Sequence, residues 1–228
     1  MLKYILTGIV LLLVGYAFGC FSTGYLVGKR NGMDIRSTGS GNIGTTNALR
    51  SMGAKAGAIT FLGDLLKAFV PMLLVKYVYC AHMGYDPNQS VAYMYTLFTG
   101  LGVVLGHNFP VTLRFKGGKG IAVSAAVIVV STMDPLFIGV GLALFIAVVA
   151  ITRYVSLGSL IVVWYIPIFS VIHFRGDIFF PVILVLSLMF TVLAYIKHSA
   201  NIKRLLNGTE NKLGAKKDTD GEQHNEIK

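Results

Sequence analysis

Three polar strings hold the residues whose types and spacing could do chemistry. The first runs Arg36-Ser-Thr-Gly-Ser-Gly-Asn-Ile-Gly-Thr-Thr-Asn47, with Arg50 three residues on. Glycines alternating with Ser, Thr and Asn let successive backbone N–H groups approach a ligand closely and form an anion-binding nest. Ser40, Gly41 and Asn42 lie at its centre, and Arg36 and Arg50 add guanidinium groups suited to phosphate oxygens. The second string is Gly106-His-Asn-Phe-Pro110 leading into Phe115-Lys-Gly-Gly-Lys-Gly120, ahead of an apolar run. Gly117 and Gly118 stand between Lys116 and Lys119 at the start of an expected helix, where unpaired N–H groups favour anions. It is not a Walker A loop, because no Gly stands five residues before Gly118-Lys119 and Gly120 replaces the Ser or Thr. The third string is His198-Ser-Ala-Asn-Ile-Lys-Arg-Leu-Leu-Asn-Gly-Thr-Glu-Asn-Lys212. Helical spacing puts His198 and Asn201 on one face, as a candidate pair for ligand binding or proton handling. His107 is a second-choice general base, since Asn108 and Pro110 beside it equally suit a helix-ending turn. Asp64 and Lys67 fall inside an apolar run at i, i+3 spacing and are expected to pair, in an orienting rather than a catalytic role.

The elements that position these strings follow from composition. The 228 residues are 54% hydrophobic and 13% charged, with a mean hydropathy of +0.69, whereas soluble domains carry roughly 25% charged residues. The apolar excess is gathered into runs of membrane-spanning length. The reading is an all-α integral membrane protein, a seven-transmembrane-helix bundle, with spans at Leu2–Val27, Ala56–Cys80, Val91–Leu105, Ile121–Thr132, Pro135–Ile151, Ser156–His173 and Phe179–Tyr195. The fourth and fifth are divided by the turn signal Ser131-Thr132-Met133-Asp134-Pro135, without which the count falls to six. Leu2–Val27 is too long for a signal-peptide core and lacks a cleavage site.

The segments 29–55 and 114–119, Arg153, and the chain from Lys197 on hold 16 of the 20 Lys and Arg residues. That bias places the N-terminus outside, and the C-terminus and all three strings on the cytoplasmic side. Residues 1–212 form one membrane domain, and 213–228 are a polar tail expected to be disordered. Cys20 and Cys80 read as packing residues, and no cluster has metal-ligand spacing. The cations lie beside spans and in no nucleic-acid module, which excludes nucleic acid as a partner and leaves the lipid bilayer.

In this order and separated by these spans, GSGNIGTTN with Arg50, GHNFP…FKGGKG and HSANIKRLLNGTE resemble the bacterial acyl-phosphate-dependent glycerol-3-phosphate acyltransferases. Gly63-Asp64…Lys67 and Arg153-Tyr-Val-Ser-Leu157 are supporting matches, and Thr45 stands where that family usually has Ala. The resemblance covers nearly the whole chain except the tail. It implies an enzyme of the bacterial inner membrane that moves a fatty acyl group from acyl phosphate to the 1-hydroxyl of sn-glycerol 3-phosphate. The products would be lysophosphatidic acid and phosphate, in the first acylation of phospholipid synthesis, and no cofactor or metal would be needed. Ser40, Arg50, Lys119, His198 and Asn201 match positions that bind substrate or support transfer, and Gly117 and Gly118 match the loop associated with glycerol-phosphate binding. Acyl phosphate is already activated, so direct attack suffices and no covalent enzyme intermediate is required. The His-x-x-x-x-Asp pair of other acyltransferases is absent. A substrate phosphate oxygen is therefore expected to take the proton, with His198 orienting the acceptor. A transporter of phosphorylated molecules would instead show internal repeats and helices broken at mid-membrane. A scaffold for lipid headgroups would need only scattered Lys and Arg.

Overall fold

Inside a bilayer an apolar run must satisfy its own backbone hydrogen bonds, which a helix does within the segment. The computed structural model describes residues 1–214, and every regular element among them is helical. In chain order these are α1 (Leu2–Gly19), α2 (Thr23–Arg30), α3 (Thr45–Met52), α4 (Ala54–Leu73), α5 (Ser90–Asn108) and α6 (Ile121–Thr132). They are followed by α7 (Pro135–Thr152), α8 (Val155–Val162), α9 (Tyr165–Phe174), α10 (Phe180–Lys197) and α11 (Ser199–Leu206). A π-helical turn at Leu74–Tyr79 carries α4 on to His82. Six segments are long and apolar enough to cross a membrane: Leu2–Arg30, Ala54–His82, Ser90–Leu113, Pro135–Thr152, Val155–Phe174 and Phe180–Lys197. The remaining expected span, α6, has 12 residues. That is about 18 Å of helix, against a hydrocarbon core of about 30 Å.

The axis of the bundle is α5, nearly every residue of which is buried. It lies tightly against α1 because glycines on both helices face backbone. A Cβ added at Gly15 or Gly19 would strike the Thr99 or Val103 carbonyl, and one at Gly102 or Gly106 would strike the Leu12 or Tyr16 carbonyl. Small residues at such crossings let helices gain van der Waals contact that lipid tails do not offer. At the other extreme, α7 buries Gly141 alone and presents its remaining faces outward.

One difference from the sequence reading has a clear physical cause. The first apolar run is not one helix, since α1 stops at Gly19 and the chain resumes as α2 at Thr23. The carbonyls freed there need donors, and Lys67 Nζ supplies them, 3.3 Å from Gly19 O and 2.9 Å from Phe21 O. The same device recurs. Lys197 Nζ donates to Asn108 O at the end of α5 at 2.9 Å, and Lys76 Nζ donates to Val130 O and Ser131 O at the end of α6, both at 3.0 Å. Each cation meets the negative end of a neighbouring helix. Lys76 thereby lets α6 end after three turns. Because Gly120 starts α6 beside Asn108 while Lys76 holds its far end, α6 runs antiparallel to α5 from the polar end of the bundle towards the other. That other end is aromatic: Tyr4 meets Phe179 edge-on at 4.9 Å, and Tyr79, Tyr85 and Tyr95 gather around it.

Leu213, the first residue of the expected tail, is tied to the α7–α8 turn. Leu213 N donates to Arg153 O at 2.7 Å, and the Arg153 guanidinium donates back to Leu213 O at 2.8 and 3.0 Å. The segment after α11 is thus strapped across the α7–α8 turn. The expected disorder of the tail lies, from residue 215 on, outside the described residues.

Candidate active site

The first string folds into a loop over a small second core of Ile35, Ile43, Ala48 and Leu113. Asn47 holds the loop in shape. Its Nδ2 donates to Ile35 O, Thr38 O and Asn42 O at 3.2, 3.1 and 2.9 Å, and its Oδ1 accepts from Ser40 N at 2.9 Å. The reversals this requires fall on Gly39 and Gly41, at φ +58° and +69°, a region that glycine adopts without penalty. Asn42 Oδ1 accepts from Gly44 N at 2.8 Å and sets the entry into α3. No side chain caps that helix, so the N–H groups of Thr45 and Thr46 in its first turn stay open.

Arg36, expected to bind an anion, is otherwise engaged. Its Nε and Nη2 form a forked pair with Asp34 at 2.9 and 2.6 Å, and its guanidinium lies 4.9 Å from the Tyr25 ring centroid. The hydrogen bonds from Arg36 hold the exposed Asp34 carboxyl down at about 2.

The second string closes on the end of α5. Gly118 N donates to His107 O at 2.9 Å. A Cβ at Gly118 would strike the His107 ring, and one at Gly117 would strike the His107 carbonyl. These glycines are needed for close packing, and neither they nor Lys116, which is exposed, line the cavity described below. Gly120, at φ +76°, starts α6, and again no side chain caps the first turn. On its other side His107 Nδ1 lies 2.8 Å from Lys67 Nζ and 3.5 Å from Asp64 Oδ1. Asp64 and Lys67 pair at 2.9 Å, as their spacing indicated. Their pair also fixes His107 and the break after α1.

The third string brings His198, at the end of α10, and Asn201, in the first turn of α11, to the same place. His198 Nδ1 lies 2.8 Å from Ala194 O, a carbonyl that only accepts, so Nδ1 carries the proton and Nε2 keeps its lone pair. Burial, with the repulsion of Lys119, pushes His198 down to about 4 against the opposing pull of the Ala194 carbonyl, so the ring is neutral at neutral pH. Asn201 is locked between two charges. Its Nδ2 donates to Glu210 Oε1 at 2.7 Å, and its Oδ1 accepts from Lys119 Nζ at 2.6 Å. Glu210 also accepts from Ser156 Oγ at 2.9 Å and from Arg204 Nε at 2.7 Å. Burial opposes its ionisation, but these three hydrogen bonds outweigh burial and hold its carboxyl below the usual value. Burial brings Lys119 down to about 8, with repulsion from Arg204, Arg50 and Lys197 adding to the effect and Glu210 opposing it.

All three strings open onto one cavity of about 460 Å³. Ser40, Asn42, Arg50, Lys119, His198 and Asn201 form its polar mouth, and Asp64 and His107 reach its wall. Gly41 turns the first loop without lining the cavity. Away from the mouth the cavity continues as an apolar slot between α6, α7 and α8. Two uncapped helix N-termini, of α3 and α6, therefore meet Arg50 and Lys119 at the mouth of an apolar slot. Such a site receives anionic groups at one end and hydrocarbon at the other. Asn47, Ser156, Arg204 and Glu210 were not among the expected site residues. Glu210 lies at the end of the third string, and its acidity among cations is the one sign the sequence carried.

The fold and cavity define an integral membrane protein with an amphiphile-shaped site at the end of its helix bundle. The sequence profile of the glycerol-3-phosphate acyltransferase family matches residues 9–208. A glycerol-3-phosphate acyltransferase of Clostridioides difficile (strain 630) is 43% identical over 217 residues, covering 92% of this chain and 97% of that protein. One from Geobacter sulfurreducens is 40% identical over 210 residues, covering 92% of this chain and all of its own. The chain also superimposes on the crystal structure of PlsY (YgiH), an integral membrane glycerol 3-phosphate acyltransferase. In its glycerol 3-phosphate form the TM-score is 0.76 at 30% identity, over 91% of this chain and 96% of that one. In its lysophosphatidic acid form the TM-score is 0.73. This chain belongs to the glycerol-3-phosphate acyltransferase family.

Proposed function

We propose that this protein transfers a fatty acyl group from acyl phosphate to the 1-hydroxyl of sn-glycerol 3-phosphate, releasing lysophosphatidic acid and inorganic phosphate. The observation that carries the reading is the joining of two open helix N-termini, Arg50 and Lys119 to an apolar slot in one cavity. Two phosphorylated substrates require two anion sites, and only the donor and product carry a hydrocarbon tail.

In this reading the phosphates lie against the first turns of α3 and α6, with Ser40, Asn42, Arg50 and Lys119 as side-chain ligands. His198 Nε2, an acceptor with its proton held on Nδ1, takes the hydrogen bond of the glycerol 1-hydroxyl and aims its oxygen at the acyl carbonyl. The oxygen forms the new ester bond as the carbonyl carbon parts from the phosphate oxygen. The hydroxyl proton passes to a substrate phosphate oxygen, since a histidine held near 4 is too weak a base to keep it. Lys119, oriented by Asn201, offsets the negative charge that develops on the carbonyl and departing phosphate oxygens. With α6 counted as a short crossing, as its antiparallel run beside α5 supports, the bundle has seven passes. The basic segments then place the cavity on the cytoplasmic face of the bacterial inner membrane, with the N-terminus outside.

Purified protein incubated with acyl phosphate and labelled glycerol 3-phosphate, without ATP, acyl-CoA or acyl carrier protein, is expected to yield lysophosphatidate and phosphate in equal amounts. Product from acyl-CoA but none from acyl phosphate would overturn the choice of donor.

A further inference from the structure

The residues that line the slot are arranged in layers. Because α6, α7 and α8 alternate in direction, the start of one lies level with the end of the next. Ala122 of α6, Phe145 of α7 and Ser156 of α8 line it near the Lys119 mouth. Ala125, Leu142 and Ser159 line the middle. At the far end stand Ile128, Ile138 and Tyr165, the last being the first residue of α9. Along α7 the lining residues Ile138, Gly141, Leu142 and Phe145 follow helical spacing, so a single face borders the slot throughout.

Tyr165 is fixed at this end. Its ring packs on Phe137 with centroids 4.6 Å apart, and a Cβ added at Gly141 would come 2.8 Å from its Cε1. Gly141 is the one buried residue of α7, and the absence of its side chain is what admits the ring. From Ser156 to Tyr165 the helical rise covers about 14 Å. An extended hydrocarbon chain advances about 1.25 Å per bond, from a C–C length near 1.52 Å at a tetrahedral angle, so that depth seats on the order of ten carbons.

We infer that Tyr165, seated against Gly141, is the stop that sets acyl-chain length selectivity in this protein. The inference rests on the reading above, in which the slot holds the donor's chain. A donor whose chain overfills the slot must bend or push on the Tyr165 ring, a strain worth roughly five- to a hundredfold in binding, so displacing the stop by two carbons changes the preference between neighbouring donors by about tenfold.

The test is kcat/KM for a series of saturated acyl phosphates of ten to eighteen carbons, with the glycerol 3-phosphate KM measured alongside. Tyr165→Ala is expected to raise the ratio of the longest to the shorter donors about tenfold, and Tyr165→Phe to leave the profile in place. Gly141→Ala and Gly141→Leu, which add bulk in the slot beside the ring, are expected to shift the profile to shorter chains in graded order, with the glycerol 3-phosphate KM unchanged. If Tyr165→Ala fails to fold, Tyr165→Leu, which keeps an apolar side chain but removes the ring, reads the same stop. Turnover with parallel profiles in wild type and variants would overturn the stop and indicate that chains leave sideways into lipid. No turnover by wild type at any chain length would overturn the donor assignment itself.

Discussion

Asn201 has one amide orientation open to it, because a carboxylate stands on one side and an ammonium on the other. Glu210 can only accept, so the amide nitrogen must face it and the amide oxygen must face Lys119. The ammonium is thereby held at the mouth while burial makes it easy to deprotonate, at about 8. A lysine whose value is depressed carries its charge below that value and loses it above. The kcat/KM for acyl phosphate should therefore be level near neutrality and fall as pH rises through about 8 in the free enzyme. His198, held near 4, should add no inflection between pH 5 and 7. Lys119→Met should lower kcat/KM by roughly 10²- to 10³-fold, the usual effect of removing one donor to developing negative charge. A wild-type pH–rate profile with no inflection near 8, or an acid inflection that His198→Gln removes, would contradict these assignments. At this scale the strings were informative: Ser40, Asn42, Arg50, Lys119, His198 and Asn201 all reach the cavity. Arg36 does not line the cavity, and its guanidinium pairs with Asp34 two residues away.

At the scale of elements, three lysines each cap the end of a neighbouring helix, and Lys67 does most. It serves the carbonyls of Gly19 and Phe21, the carboxylate of Asp64 and the ring of His107 at once. Removing one member of a buried charge pair leaves the other uncompensated, at a typical cost of 3–5 kcal/mol. Lys67→Met should therefore lower the melting temperature in detergent sharply. The double change Lys67→Met/Asp64→Leu should recover part of the loss, and thermal unfolding of the four proteins in the cycle measures the coupling. Additive effects would show that the two residues do not act together. Of this bridging only the pairing of Lys67 with Asp64 was visible in the chain, where Leu2–Val27 reads as unbroken apolar sequence. The break arises because Gly19 is pressed against the Val103 carbonyl and Gly106, and because a donor on α4 is there to accept the consequence.

Across the whole molecule, close packing and openness are kept apart. The α1–α5 crossing is sealed by glycines facing carbonyls, whereas α7 buries a single glycine and leaves a slot beside it. Gly102→Leu should separate α1 from α5 and markedly lower the folded yield in detergent. Leu136→Ala, at a side chain 77% exposed, should leave the yield unchanged. Size-exclusion profiles of the two variants make the comparison, and equal yields would argue against the crossing as the main support of the bundle.

The sequence by itself determined the class and most of the residues of the mouth. Hydropathy, charge bias and helical spacing are properties of neighbouring residues, and they hold wherever those residues end up. Only the tertiary structure decided that Gly117 and Gly118 pack closely on His107, that Glu210 orients Asn201, and that Tyr165 lines the cavity beside Gly141. These depend on contacts between distant parts of the chain, such as Lys119 with Asn201 across 82 positions, and on the strap that returns to Arg153. Each is set by which helices lie together in space, a property that no local pattern records.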